Sequence, residues 1–184
     1  MSVSGDNTFT LLKTLFTSFN CGSISLLDGD TFILTTYNHE RPVRTIDVHG
    51  NEGEFQHKLL PDKNFKLATS ACAYIPSTKT LLFCGRKQNT VYMCDITSGE
   101  GHVIKSKEIV EPRGICAGQN GGSFVCSEDT HCVVQLSPTG DVLTSLRVNM
   151  KYPRAVSVSR DGSFMAVSNS MDPHSSIKLF NIEN

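Results

Sequence analysis

The chain has 184 residues, 39% of them hydrophobic, which is enough for one well-packed domain. Its 17 basic and 18 acidic side chains leave a formal net charge of −1, so no overall field draws it to nucleic acid or to an anionic membrane. No apolar run approaches the roughly 20 residues that span a bilayer, and the opening MSVSGDNTFTLLK lacks the basic-then-apolar order of a secretory signal.

Taken in chain order, the apolar segments alternate with period two, the mark of half-buried strands. FTLLKTLF (9–16) comes first. A first unit follows: SISLLDGDTFIL (23–34), VRTIDV (43–48), the turn HGNEGE and FQHKLL (55–60). A second unit reads SACAYIPSTKTLLFCG (70–85), VYMCDI (91–96), TSGEG and HVIKSKEI (102–109). The third reads EPRGICAGQNGGSF (111–124), VVQL (133–136), SPTGD and VLTSLRV (142–148). The fourth opens with YPRAVSVSRDGSF (152–164) and ends with IKLFNI (177–182). Pro112-Arg113 and Pro153-Arg154 stand 41 residues apart in matching contexts. Gly, Asn and Asp at the turns supply the positive φ that tight hairpins need. No segment has the 3.6-residue stripe and caps of a helix, so little or no helix is expected.

Four antiparallel strands repeated every 41 to 48 residues are the signature of a β-propeller blade. The expected fold is therefore all-β: a propeller of about four four-stranded blades in a single domain, 1–184. The repeats are approximately 20–66, 67–111, 112–152 and 153–184. The fourth unit stops after its third strand, and the N-terminal strand 9–16 could close the ring by supplying the missing one. The alternatives are a piece of a larger ring, or half of a dimer. Tryptophan is absent, so the Trp-Asp dipeptide of one large propeller class is absent too. Ile24, Leu26, Ile33, Ala73, Leu82, Ile115, Val125, Val156, Val158 and Ala166 are expected to line the cores between blades.

The seven cysteines are Cys21, Cys72, Cys84, Cys94, Cys116, Cys126 and Cys132. They are odd in number, lack any Cys-x-x-Cys spacing and sit in apolar contexts. Cys72 and Cys116 fall at equivalent repeat places, as do Cys84 and Cys126. Such thiols read as reduced packing groups, which points to a cytoplasmic protein.

Pro-Arg-Gly-Ile, a Gly turn, a short apolar strand, a polar loop and a strand such as IKLFNI together resemble the NHL repeat. The clearest matches are 112–136 and 153–182, with weaker ones at 23–48 and 70–96. The resemblance implies a propeller like the C-terminal region of tripartite-motif proteins. In those, separate zinc-binding modules confer ubiquitin-ligase activity, and this chain has no such Cys/His framework. Where the NHL pattern usually has Asp after the second strand, this chain reads CSED and VSNS.

In a propeller, loops between blades share a face with loops joining second to third strands. Arg113 and Arg154 come from the first kind of loop; Arg41, Arg86 and Lys87 come from the second. Arg113 and Arg154 could satisfy carbonyls between blades, or offer forked donors to carboxylate or phosphate on a partner. The five are the expected partner-binding residues, and a protein is the expected partner. Single-stranded RNA on the same face is the alternative, although aromatic residues for stacking are lacking there apart from Tyr37. His39, Glu40, Glu128, Asp129, His131, Asp172 and His174 also fall on this face and raise a metal-dependent hydrolase or lactonase reading. No ligand spacing recurs among them, so no metal site, cofactor or catalysis is expected.

Overall fold

The computed structural model describes residues 11–36, 39–55, 69–170 and 175–182. Among them run fifteen strands in four antiparallel sheets. Blade 1 holds β1 (Cys21–Asp28), β2 (Thr31–Thr36), β3 (Val43–Asp47) and β4 (Glu52–Glu54). Blade 2 holds β5 (Thr69–Ile75), β6 (Thr80–Gly85), β7 (Thr90–Asp95) and β8 (Gly101–Ile104). Blade 3 holds β9 (Pro112–Ala117), β10 (Ser123–Ser127), β11 (Cys132–Leu136) and β12 (Val142–Arg147). Blade 4 holds β13 (Pro153–Val158), β14 (Phe164–Asn169) and β15 (Ile177–Asn181). Strands neighbour one another in chain order within each sheet. The chain is a four-bladed β-propeller, and its only helices among the described residues are single 3₁₀ turns at Arg86–Gln88 and Gln119–Gly121.

Local chemistry explains the repeated hairpins. Asp47 ends β3, and its Oδ1 accepts hydrogen bonds from the backbone N–H groups of His49 and Asn51 at 2.8 and 2.9 Å. Asp95 ends β7 and accepts in the same way from Thr97 and Ser98, both at 2.8 Å. Ser137 does this after β11, accepting from Thr139 and Asp141. A short side-chain acceptor thus folds each turn, and Gly50, Gly99 and Gly140 follow at φ of +96°, +69° and +89°.

Both faces of an inner blade are apolar because each meets a neighbour. Blades 1 and 2 enclose Ile33, Val43, Cys72, Leu81, Phe83 and Tyr92, with the Phe83 and Tyr92 rings stacked at 4.9 Å. Blades 2 and 3 share a core containing Ala73, Leu82, Val91, Ile115, Val125 and Val134. Val125 stands opposite Ile115 on β9 and Val134 on β11, so one apolar row crosses three of the blade's four strands. Blades 3 and 4 bury Phe124, Cys126, Val133, Val156, Met165 and Val167. At Gly114 the strands β9 and β13 approach so closely that a Cβ would lie 2.5 Å from Arg154 O and 2.9 Å from Ala155 Cα.

Most expected core residues are buried: Ile33, Ala73, Leu82, Ile115, Val125 and Val156. Val158 and Ala166 are partly buried. Ile24 and Leu26 are not, at 59% and 56% exposed. The reason is strand parity. The other side of β1 meets blade 2, where Ser23 and Ser25 Oγ accept hydrogen bonds from the N–H groups of Cys72 and Tyr74 at 3.3 and 3.2 Å. Ile24 and Leu26 lie on the outward side, paired with Leu34 and Phe32 of β2.

The expected N-terminal closing strand is also revised. Residues 9 and 10 lie outside the described residues, and 11–16 form no strand. The segment instead folds over its own blade, where Leu15 and Phe19 pack on Leu34, Ile46 and Phe32. Lys13 Nζ donates to His49 O at 2.7 Å. Among the described residues blade 4 has three strands, with β15 at its edge. Residues 56–60 of the expected fourth strand in blade 1 lie outside the described residues; the pairing partner of β3 is the short β4. No helix among the described residues is long and apolar enough to cross a membrane.

Candidate functional site

Three of the five expected residues meet at one carboxylate. β10 ends at Ser127, whose Oγ accepts from Val110 N–H at 2.8 Å and donates to Val110 O at 3.0 Å. This clamp fixes the next residue, Glu128, which is only 4% exposed. Arg113 of β9 donates through Nε to Glu128 Oε2. Arg154, at the equivalent position of the next blade, donates through Nε to Oε1 at 2.9 Å. Arg86, from the 3₁₀ turn after β6, brings Nη2 to 3.7 Å from the same carboxylate. Arg86 also donates through Nε and Nη2 to Glu111 Oε2 at 2.9 and 2.6 Å. Asn89, in left-handed backbone conformation at the end of that turn, holds Glu111 by accepting its N–H at 2.9 Å.

Blades 2, 3 and 4 thus contribute to one network of alternating charge. Burial, the largest single influence on Glu128, raises its pKa. The hydrogen bonds and charges of Arg113 and Arg154 together outweigh burial and hold the carboxyl below its usual range. Three guanidinium groups against two carboxylates leave one positive charge in excess. The side chain of Arg154 is 42% exposed, and Lys87 lies exposed on the same turn as Arg86. Arg41 is elsewhere: its ion-pair partner is Glu54 of its own blade, and both side chains are largely exposed. The five expected residues therefore divide into a networked trio with Lys87 beside it, and a separate Arg41.

Next to the network, a cavity of about 420 Å³ is bounded by Thr130, His131, Arg147, Asn149, Met150 and Lys151. It has basic groups and no carboxylate in its lining. His131 Nδ1 lies 2.9 Å from Glu128 O, and its ring meets Tyr152 edge-on at 4.8 Å. Arg147 and Lys151 escaped the sequence reading. Their signal was position, since they flank the loop into the second Pro-Arg pair.

Glu128, weighed above as a possible metal ligand, is saturated with guanidinium groups, an arrangement that repels a cation. Among the described residues no three His, Cys, Asp or Glu side chains gather into a metal-ligating set. Asp172 and His174 lie outside the described residues. The seven cysteines are free thiols, and Cys21 is the exposed one. Burial pushes Cys116 and Cys126 up to about 12 and Cys94 up to about 11, so those thiols pack and do not react.

No protein-family model matches the sequence, and neither does any curated protein. Solved structures do match. Hydrazine synthase of Kuenenia stuttgartiensis superposes with a TM-score of 0.70 at 16% identity, over 95% of this chain and 49% of that one. Inactive H270A virginiamycin B lyase from Staphylococcus aureus, solved with quinupristin, gives 0.67 at 17%, over 92% of this chain and 58% of that one. A chain of the nidogen/laminin complex gives 0.68 at 12%, over 88% of this chain and 60% of that one. The chain thus spans about half to three-fifths of the length of the structures it matches. One of them is a lyase, which corrects the expectation that this chain performs no chemistry: the fold does not restrict it to binding. The NHL repeat in particular is not among the likenesses found, and identities of 12% to 17% bear on architecture alone. By sequence repeat, blade order and these superpositions, the chain is a β-propeller.

Proposed function

We propose that the chain recognises an acidic segment of a protein partner at the blade end where Arg86, Arg113 and Arg154 surround Glu128. The observation that carries this reading is the gathering of three guanidinium groups from three successive blades around two carboxylates. Arg113 and Arg154 spend their Nε donors on Glu128. A guanidinium has five N–H donors, so each keeps forked Nη groups suited to carboxylate. Exposed Lys87, and Arg147 and Lys151 around the neighbouring cavity, extend the positive rim. The role resembles that of the NHL region in tripartite-motif ubiquitin ligases, and the free thiols favour a reducing, cytoplasmic setting.

The network changes which variant tests the proposal. Reversing Arg113 and Arg154 to glutamate puts new negative charge beside buried Glu128 and damages folding as well as binding. Lys87→Glu with Lys151→Glu alters the rim and spares the network. Binding of a fluorescent oligoglutamate peptide is measured at low and moderate salt, with an oligouridylate of equal charge as the second arm. Two exposed charges at about 0.7 kcal/mol each amount to a roughly tenfold loss of peptide affinity. The melting temperature stays unchanged. Equal affinity in wild type and variant, or tighter binding of the oligouridylate, would overturn the acidic-protein reading.

A further inference from the structure

Among the described residues, the packing that joins the four blades leaves one face open at each end of the series. On blade 1 the outward face carries Ile24, Leu26, Phe32, Leu34 and Ile46. Leu15 and Phe19 cover part of it, and an apolar groove of about 440 Å³ remains beside Ile24. The charged groups on this face are paired with one another at its β4 edge: Arg44 meets Glu52 at 3.3 Å and lies over the Phe19 ring at 5.0 Å, and Glu54 pairs with Arg41. On blade 4 the face turned away from blade 3 carries Phe164 and Ala166 of β14 and Ile177 and Leu179 of β15. Phe164, Ile177 and Leu179 are 52%, 72% and 73% exposed. No charged strand residue stands among them. Large apolar side chains grouped on one uncharged face mark a contact surface.

We infer that these two faces belong to each other across two molecules: the open face of blade 4 seats on the open face of blade 1 of a second copy of this chain. Three observations support that occupant. The faces continue the packing direction of β1 on β5, β5 on β9 and β9 on β13, so another blade is the shape each is built to meet. One end offers a groove and the other protruding aliphatic and aromatic side chains, which makes the contact complementary. The chain spans 49% to 60% of the single chains it superposes on, so two copies reach the length of such a chain or exceed it. Related by a two-fold axis along the channel, the copies make two identical contacts and an eight-bladed ring, within the roughly 4–8 blades propellers use.

Sedimentation equilibrium of the whole chain tests this. The expected mass is twice 20.2 kDa. Leu26→Lys changes one face and Leu179→Glu the other. Both residues are more than half exposed, so unchanged circular dichroism and melting are expected together with loss of the dimer. Each variant spoils both contacts of its own pair. A mixture of the two variants restores one intact contact, and with it a species of twice the monomer mass. That recovery separates the head-to-tail ring from a contact of like face on like face. A monomeric wild type overturns the proposal and leaves further blades of a longer polypeptide as the occupant. A dimer indifferent to both variants, no recovery on mixing, or an open series of larger species also overturns it.

Discussion

Ile115 on β9 and Ile24 on β1 are aliphatic residues on the first strands of their blades, yet one is 7% exposed and the other 59%. The difference lies in what stands opposite. Ile115 meets Val125 and the core of blade 2, whereas Ile24 faces outward from the first blade. In a repeat protein the pattern within a unit decides that a strand forms, and the neighbouring unit decides what that strand buries.

The contrast has measurable consequences. Leu82→Ala empties a side chain that is 1% exposed between blades 2 and 3, and is expected to cost about 2–5 kcal/mol in urea unfolding. Leu26→Ala, on the open face, is expected to cost less than about 1 kcal/mol in the monomer. Comparable losses would mean that the outer face is covered after all. Gly114→Ala tests the closest approach of two blades, because the added Cβ meets main chain that cannot rotate away. About 1–3 kcal/mol is expected, read as an earlier urea midpoint. A neutral result would show that β9 and β13 separate easily.

A smaller effect than that of Leu82→Ala concerns Glu128. Glu128→Gln leaves Arg113 and Arg154 without their carboxylate, and about 1–2 kcal/mol is expected at neutral pH because the arginines are partly in water. The folded pKa of Glu128 lies below the ordinary glutamate value of 4.5. Its contribution is therefore fully present above about 4.5 and is lost as pH falls through the lower folded value. The gap between wild type and variant should narrow as pH drops below that point. A gap that stays constant as pH falls below that point would show that the carboxylate is not held by its arginines.

The fold was legible because its signals are local. Asp47 and Asp95 end a third strand, Ser137 follows one directly, and each folds the turn, so period-two runs and turn residues locate the hairpins. The burial of β1 was not legible. Alternation identifies two sides of a strand but not which one meets a neighbour, and serine hydroxyls took the buried contact that Ile24 and Leu26 were expected to make. The segment at 11–16 was misread for a similar reason: its apolar residues suit a strand, but Leu15 found a partner on its own blade. At the site, Arg113 and Arg154 stood out because they repeat. Glu128 was read as a possible metal ligand and not as their shared partner, since it lies 15 and 26 residues away and has no counterpart in the repeat.

The thiols carry a practical consequence. Cys84, Cys94 and Cys126 are sealed between blades, Cys116 is held firmly protonated, and Cys21 alone is exposed, at the lip of the groove on blade 1. A maleimide fluorophore added to the native protein should therefore attach at one address and light up, or dim, according to what settles against that lip.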